Sequence, residues 1–204
     1  MEALDWLHLP NLEVRSGVLG VAEIRDGPSG ELLVVEVEPG SYRPCVGTEP
    51  EGRAPGAVAS FCAVHESVFG GWQERRGLAT VQRGGVVGWV STDIATAGFF
   101  DHEVLARLAA RDAEAFEKWC AGFFASMSYP HGFDYFGGDG RAPVVYVQSS
   151  AGAGHYPVVE ILGGEGPVGL EVAFSPALVD GVDVSRELQV SRVVEPIPGV
   201  LQPG

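Results

Sequence analysis

Two stretches carry side chains whose types and spacing could do chemistry. Trp89 to Asp101 leaves an apolar run through Ser91, Thr92 and Asp93, crosses small residues, and reaches Phe99, Phe100 and Asp101. Ser149 to Val158 passes from two serines through Gly152, Ala153 and Gly154 to His155, Tyr156 and Pro157. Asp93 ends a strongly apolar strand-like run, where a carboxylate is desolvated unless it is paired or opens on a cleft. Its competing role is structural, a hydrogen bond into the turn that follows, Thr92 and Thr96 included. Two carboxylates and an imidazole would suit hydrolysis. Asp93 would be general base or ligand, Asp101 a second carboxylate and His155 an acid or ligand, provided the three converge within hydrogen-bond reach.

Other catalytic and binding signatures fail on their own chemistry. A zinc protease needs two histidines one helical turn apart with a glutamate base, but His65-Glu66 is followed by Phe69 and His102-Glu103 by Ala106 at the second position. No Gly-x-Ser-x-Gly pentapeptide sets a serine on a strained elbow. A phosphate loop needs glycines with Lys and Ser/Thr opening a helix. Gly137 to Arg141 instead carries Asp139, and Gly152 to Gly154 runs into a strand. Cys62 and His65 would face opposite sides of a strand, which argues against shared ligation. Asp93, Asp101, His102, His131, Asp134, Asp139 and His155 are of the types that ligate metals. They come from different loops, however, and Asp101 and Asp112 have sufficient roles as helix caps. No metal and no cofactor is assigned from sequence.

The chain of 204 residues carries a formal net charge of −14. Such a surface repels polyphosphates and anionic membranes, and the longest basic run is Arg75-Arg76, so nucleic-acid and membrane binding are excluded as readings. Lys118 is the only lysine and Asn11 the only asparagine, a bias that suggests a GC-rich bacterial genome. Three widely spaced cysteines, Cys45, Cys62 and Cys120, argue against a disulfide framework. Met1 to Asp5 shows no basic n-region or apolar h-region, and the longest stretch without Asp, Glu, Lys or Arg, Ala142 to Val159, is broken by Gly, Ser, His and Pro. Cytoplasmic location is the expectation.

The elements that must position these residues are short strands. The 29 glycines and 14 prolines sit between apolar runs, and with 46% hydrophobic residues they read as turns in a globular domain rather than disorder. Val18–Ile24, Leu32–Glu38 and the segment from Tyr42 suggest a three-stranded meander with turns at Asp26–Gly30 and Pro39-Gly40. Glu49–Gly56 is expected as a loop and Ala57–Val64 as a buried strand. Leu78–Gln82 and Val86–Val90 suggest a hairpin about Arg83-Gly84-Gly85. Asp101 is expected to cap a helix over His102–Ala110, and Asp112 a second helix or a continuation. In the latter Phe116, Trp119, Cys120, Phe123 and Phe124 fall at the spacing of a buried stripe. Tyr129–Arg141 is expected as a loop, and Val144–Gln148, Tyr156–Leu162 and Val168–Phe174 as strands. The fold class is therefore α+β and β-dominated, antiparallel sheets or a sandwich with one central helical insert. Residues 1–194 are expected to form a single domain and 195–204 a Pro-rich tail.

The run Gly88 to Asp93, three small positions and Phe99-Phe100-Asp101 at the head of a helix resemble the central signature of a bacterial family defined only as the domain of unknown function 4241. Val145 to Val158, a strand ending in serine, then a Gly-rich loop and Tyr-Pro-Val, is similar to its second signature. Pro39 to Tyr42 and the Arg53–Ala59 region are similar too, so the resemblance covers roughly Ser16 to Phe174. The second loop of the family usually carries Gly-Asp-Gly before Tyr, where this chain has Gly-Ala-Gly-His, ending at His155. The resemblance implies a β-rich cytoplasmic domain with a shared two-loop face, and it brings no established activity with it.

Three functional readings follow. The first is a non-enzymatic binding protein that takes a protein or small-molecule ligand at Asp93, Asp101, Gly152, Gly154, His155 and Tyr156. One form of it is an immunity-type partner of a basic toxin, since opposite charge speeds association. The second is the carboxylate–histidine hydrolase, with or without metal. The third is a structural subunit or homodimer without ligand.

Overall fold

The computed structural model describes residues 4–24, 32–49, 56–69, 82–126, 131–136, 142–164, 166–175 and 178. Among these residues, twelve strands and two helices follow in chain order: β1 (Asp5–His8), β2 (Leu12–Val14), β3 (Val18–Glu23), β4 (Leu32–Glu36), β5 (Gly40–Thr48), β6 (Val58–His65), β7 (Gln82–Thr92), β8 (Thr96–Asp101), α1 (His102–Arg111), α2 (Ala113–Ser126), β9 (His131–Phe136), β10 (Ala142–Gln148), β11 (Gly154–Leu162) and β12 (Pro167–Ala173), with a short 3-10 turn Glu66–Phe69 after β6. They form two antiparallel sheets. The first has the order β1-β5-β6-β12-β11-β7, with β2 also pairing β5, and the second the order β4-β3-β8-β10-β9. The α+β, β-dominated class with antiparallel sheets is therefore observed.

The two sheets face each other over one apolar core. Leu19, Val21, Phe99, Val145 and Val147 from the second sheet meet Val46, Phe61, Val158, Leu170 and Val172 from the first. The second sheet is buried on its other face as well, where Ala22, Ile24, Phe100, Val144 and Tyr146 pack with Leu105 and Ala109 of α1 and Phe116 and Cys120 of α2. Burial on both faces explains why Val144–Val147 and Ala97–Phe100 read as unbroken apolar runs rather than alternating ones. It also explains Gly98 at the centre of β8, where a Cβ would collide with the Ile24 side chain and the Val145 carbonyl.

Both expected caps form. The Asp101 carboxylate accepts from Val104 N at 3.1 Å and that of Asp112 from Ala115 N at 3.0 Å. Phe116 and Cys120 of the expected stripe are buried, whereas the side chains of Phe123 and Phe124 lie outside the described residues. Three expectations are corrected. The meander breaks at Pro39-Gly40, because β3 and β4 pair in one sheet while β5 crosses to the other. The hairpin at Arg83-Gly84-Gly85 is instead the interior of one long strand, β7. Its glycines sit on a sheet edge with two register irregularities against β11, and Gly84 lies close to the Glu160 and Leu162 side chains. Part of the Tyr129–Arg141 loop is the edge strand β9, paired along β10 from Ala142↔Phe136 to Val147↔His131. The Asp26–Gly30 turn, Leu78–Thr80, Asp139 and the 195–204 tail lie outside the described residues.

His102, the first residue of α1, is 8% exposed, and its Nδ1 has no hydrogen-bond partner. Burial holds its pKa below the ordinary 6.5, against the raising influence of Glu103 and Asp101. The folded state thus binds fewer protons than the unfolded chain as pH falls through 6.5, so stability is present above that value and declines below it. Urea midpoints followed downward from pH 7.5 should fall more steeply for the wild-type chain than for His102→Phe. Superimposed profiles would exclude His102 as the cause.

Candidate functional site

The two chemistry-bearing segments meet at one end of the sandwich. Ser149 N donates to the Ala95 carbonyl at 2.5 Å, and Ser150 Oγ accepts from Val58 N at 2.9 Å. Along β7 and β11, Gly154 lies opposite Thr92 and His155 opposite Ser91. Asp93, Gly152, Gly154, His155 and Tyr156 thus belong to a single end. Asp101 does not. It closes the far end of β8, six residues long, so roughly 17 Å of strand separates it from the turn that holds Asp93.

Asp101 has a structural task where it is. It is 2% exposed and accepts four hydrogen bonds, from Arg15 N at 2.7 Å, Ser16 N at 3.0 Å, Ser16 Oγ at 2.7 Å and Val104 N at 3.1 Å. It therefore ties the β2–β3 corner to the start of α1 and has no free lone pair to offer a substrate. Beside it Asn11, Glu13, Arg15, Val104, Phe133, Tyr135 and Pro143 line a cleft of about 90 Å³. That is well below the usual range for small-molecule sites.

At the near end the side chain that organises the turn is one the sequence reading did not single out. Glu23, 4% exposed at the end of β3, accepts from Asp93 N at 3.0 Å and Ile94 N at 2.8 Å. It performs the turn-bonding role expected of Asp93, whose own carboxylate is exposed to solvent. The turn needs such a clamp because Ala95 is held at φ 64°, a left-handed conformation unfavourable for a residue with a Cβ. A glutamate closing the apolar run Val18–Glu23 was the available signal, but nothing local says which amides it meets 70 residues later.

The second loop is equally well defined. Gly152 takes φ 92° without strain, since it lacks a Cβ. The Tyr156 hydroxyl donates to the Gly152 carbonyl at 2.6 Å, and its buried ring packs edge-on to Phe174 at 4.9 Å. Tyr156 therefore shapes the loop from inside. His155 is exposed, with Nδ1 at 2.7 Å from Ser91 Oγ. Because Val90 and Tyr156 point into the core, Ser91, His155 and Trp89 point outward from the first sheet. Trp89 lies opposite Pro157 and is 51% exposed.

A second polar constellation, also missed by sequence reading, crosses the outer face of the first sheet. Glu171 on β12 is 3% exposed, accepts from Ser60 Oγ at 2.6 Å, and forms a two-pronged ion pair with Arg83 through Nε at 2.5 Å and NH2 at 2.8 Å. The carboxylate beside Arg83 raises its pKa further.

Among the described residues no group of three or more His, Cys, Asp or Glu has the arrangement of a metal site, and no helix is long and apolar enough to cross a membrane. No family model matches the chain, and neither a curated protein nor a solved structure matches it.

Proposed function

We propose that this chain is a non-enzymatic, cytoplasmic binding protein. It takes a basic protein partner at the end of the sandwich formed by Trp89, Ser91, Asp93 and His155, in the manner of an immunity protein. The observation that carries the reading is Trp89, half exposed on an edge strand of eleven residues that, among the described residues, has β11 as its one strand neighbour. Tryptophan is enriched among residues that dominate binding energy, and an open strand edge offers backbone donors and acceptors to a partner. The net charge of −14 selects a basic partner and speeds its encounter. The resemblance to the domain of unknown function 4241 adds the shared two-loop face to this reading and no activity. The hydrolase reading loses support because Asp101 is remote and committed, and His155 is bonded to Ser91 rather than to a carboxylate.

The test is affinity capture with the full chain as bait, wild type against Trp89→Ala. A captured basic protein should be released at about 0.5 M salt, where the screening length is about 4 Å. Its affinity should fall roughly 30-fold for Trp89→Ala, the effect of a binding hot spot. Capture indifferent to Trp89→Ala would remove this face from the proposal. Retention at high salt would remove its electrostatic part.

A further inference from the structure

A row of reactive side chains crosses the outer face of the first sheet, away from the proposed binding end. His8 on β1 lies opposite Cys45 on β5, Cys45 opposite Cys62 on β6, and Cys62 opposite Glu171 on β12. Directly opposed residues of an antiparallel pair share a face, with Cα atoms about 4.5–5.5 Å apart. That separation lies within the roughly 4.4–6.8 Å span of disulfides, so a bond between Cys45 and Cys62 is within reach. Both cysteines are unbonded and buried, and the Cys62 thiol is hydrogen-bonded to Cys45. Val64, Phe69 and Ile161 pack around them. The His8 Nδ1 atom stands 3.2 Å from Cys45 Sγ, on an edge strand where the imidazole is exposed although the thiol is not.

We propose that Cys45 and Cys62 are a reversible dithiol–disulfide site that reacts with hydroperoxides, His8 taking up the Cys45 proton. The two sulfurs have different surroundings. Burial and the nearby Cys45 and Glu171 push the Cys62 thiol up, so it stays protonated. Burial and the Arg43 charge keep His8 below its ordinary value, so near neutral pH its imidazole is uncharged and its Nδ1 lone pair can face Cys45. The reaction runs in two steps. His8 accepts the Cys45 proton; the thiolate attacks the terminal peroxide oxygen; the O–O bond breaks; and the departing alkoxide or hydroxide takes the proton back from His8, leaving Cys45 as a sulfenic acid. In the second step the Cys62 proton passes to the hydroxyl on Cys45 as the sulfur left behind attacks: the S–S bond forms, the S–O bond breaks, and water leaves. The two sulfurs lose two electrons, the peroxide gains two, and a dithiol reductant reverses the change.

The experiment treats the native full chain with hydrogen peroxide and counts thiols after unfolding. Titratable thiols should fall from three to one. The intact mass should drop by two hydrogens, a Cys45–Cys62 linked peptide should emerge on digestion, and dithiothreitol should restore all three. Cys120→Ser should behave as wild type apart from its missing thiol, and His8→Gln should react about tenfold more slowly, because thiolate rather than thiol is the nucleophile. Links to Cys120, overoxidation without a link, or no reaction at exposures that oxidise a free cysteine peptide would each overturn the site. An unchanged rate in His8→Gln would overturn the proton-acceptor role.

Discussion

Arg83→Met should destabilise the protein by about 3–5 kcal/mol, the cost of leaving a buried carboxylate without its cation. Glu171 sits on β12 within the first sheet at 3% exposure, and Arg83 reaches it across β11 from the sheet edge. Ser60 Oγ would then be the remaining donor to the carboxylate, at 2.6 Å, and a single neutral hydroxyl does not offset the loss. The companion variant Arg83→Met/Glu171→Met should recover most of the stability, since an apolar pair of similar volume removes the desolvated charge altogether. Urea unfolding of both single variants and the double variant gives the coupling directly. A loss below about 1 kcal/mol in Arg83→Met would mean that the pair behaves as a solvated surface bridge.

Asp101→Ala should cost a similar amount, about 3–5 kcal/mol, from one lost helix cap and the stranded amides of the β2–β3 corner. The carboxylate serves Arg15 N, Ser16 N and Val104 N together with the Ser16 hydroxyl, and no single side chain nearby replaces that set. Asp101→Asn should fall between, because its amide keeps one acceptor oxygen and turns a second donor toward donors. The measurement is denaturant unfolding combined with hydrogen exchange at the amides of residues 15, 16 and 104, which should lose protection together. Protection unchanged in Asp101→Ala would show that the corner is held elsewhere. In Asp101→Asn, partner capture should persist while stability falls. In Trp89→Ala, capture should weaken roughly 30-fold while stability holds, which separates the structural aspartate from the binding end.

The contrast between these two carboxylates and Asp93 shows what pattern reading can reach. Asp101 was legible as a cap because capping depends on the next three residues. Its bonds to Arg15 and Ser16, 85 or more positions away, were not. Asp93 drew attention as a charge ending an apolar strand, yet the group buried at that turn is Glu23, delivered by a neighbouring strand. The glycines of β7 read as a hairpin because Gly-Gly is a turn signal wherever the chain is short of partners. In the folded sheet they lie within a long edge strand that pairs irregularly with β11.

Local physics was enough for the sequence to determine a β-dominated fold, a helical region capped at Asp101 and Asp112, and the two chemistry-bearing segments, though not that these segments meet at one end. Each of these rests on residues within a turn or two of one another, where period, capping chemistry and turn preference act directly. Tertiary structure alone decided which sheet each strand joins, that Asp101 sits apart from Asp93 and His155, and that Arg83 meets Glu171 from 88 positions away. It also decided that Cys45 and Cys62 stand opposite each other with His8 beside them. Those outcomes depend on strand register, and register is set by burying two faces of two sheets at once, a condition no local window contains.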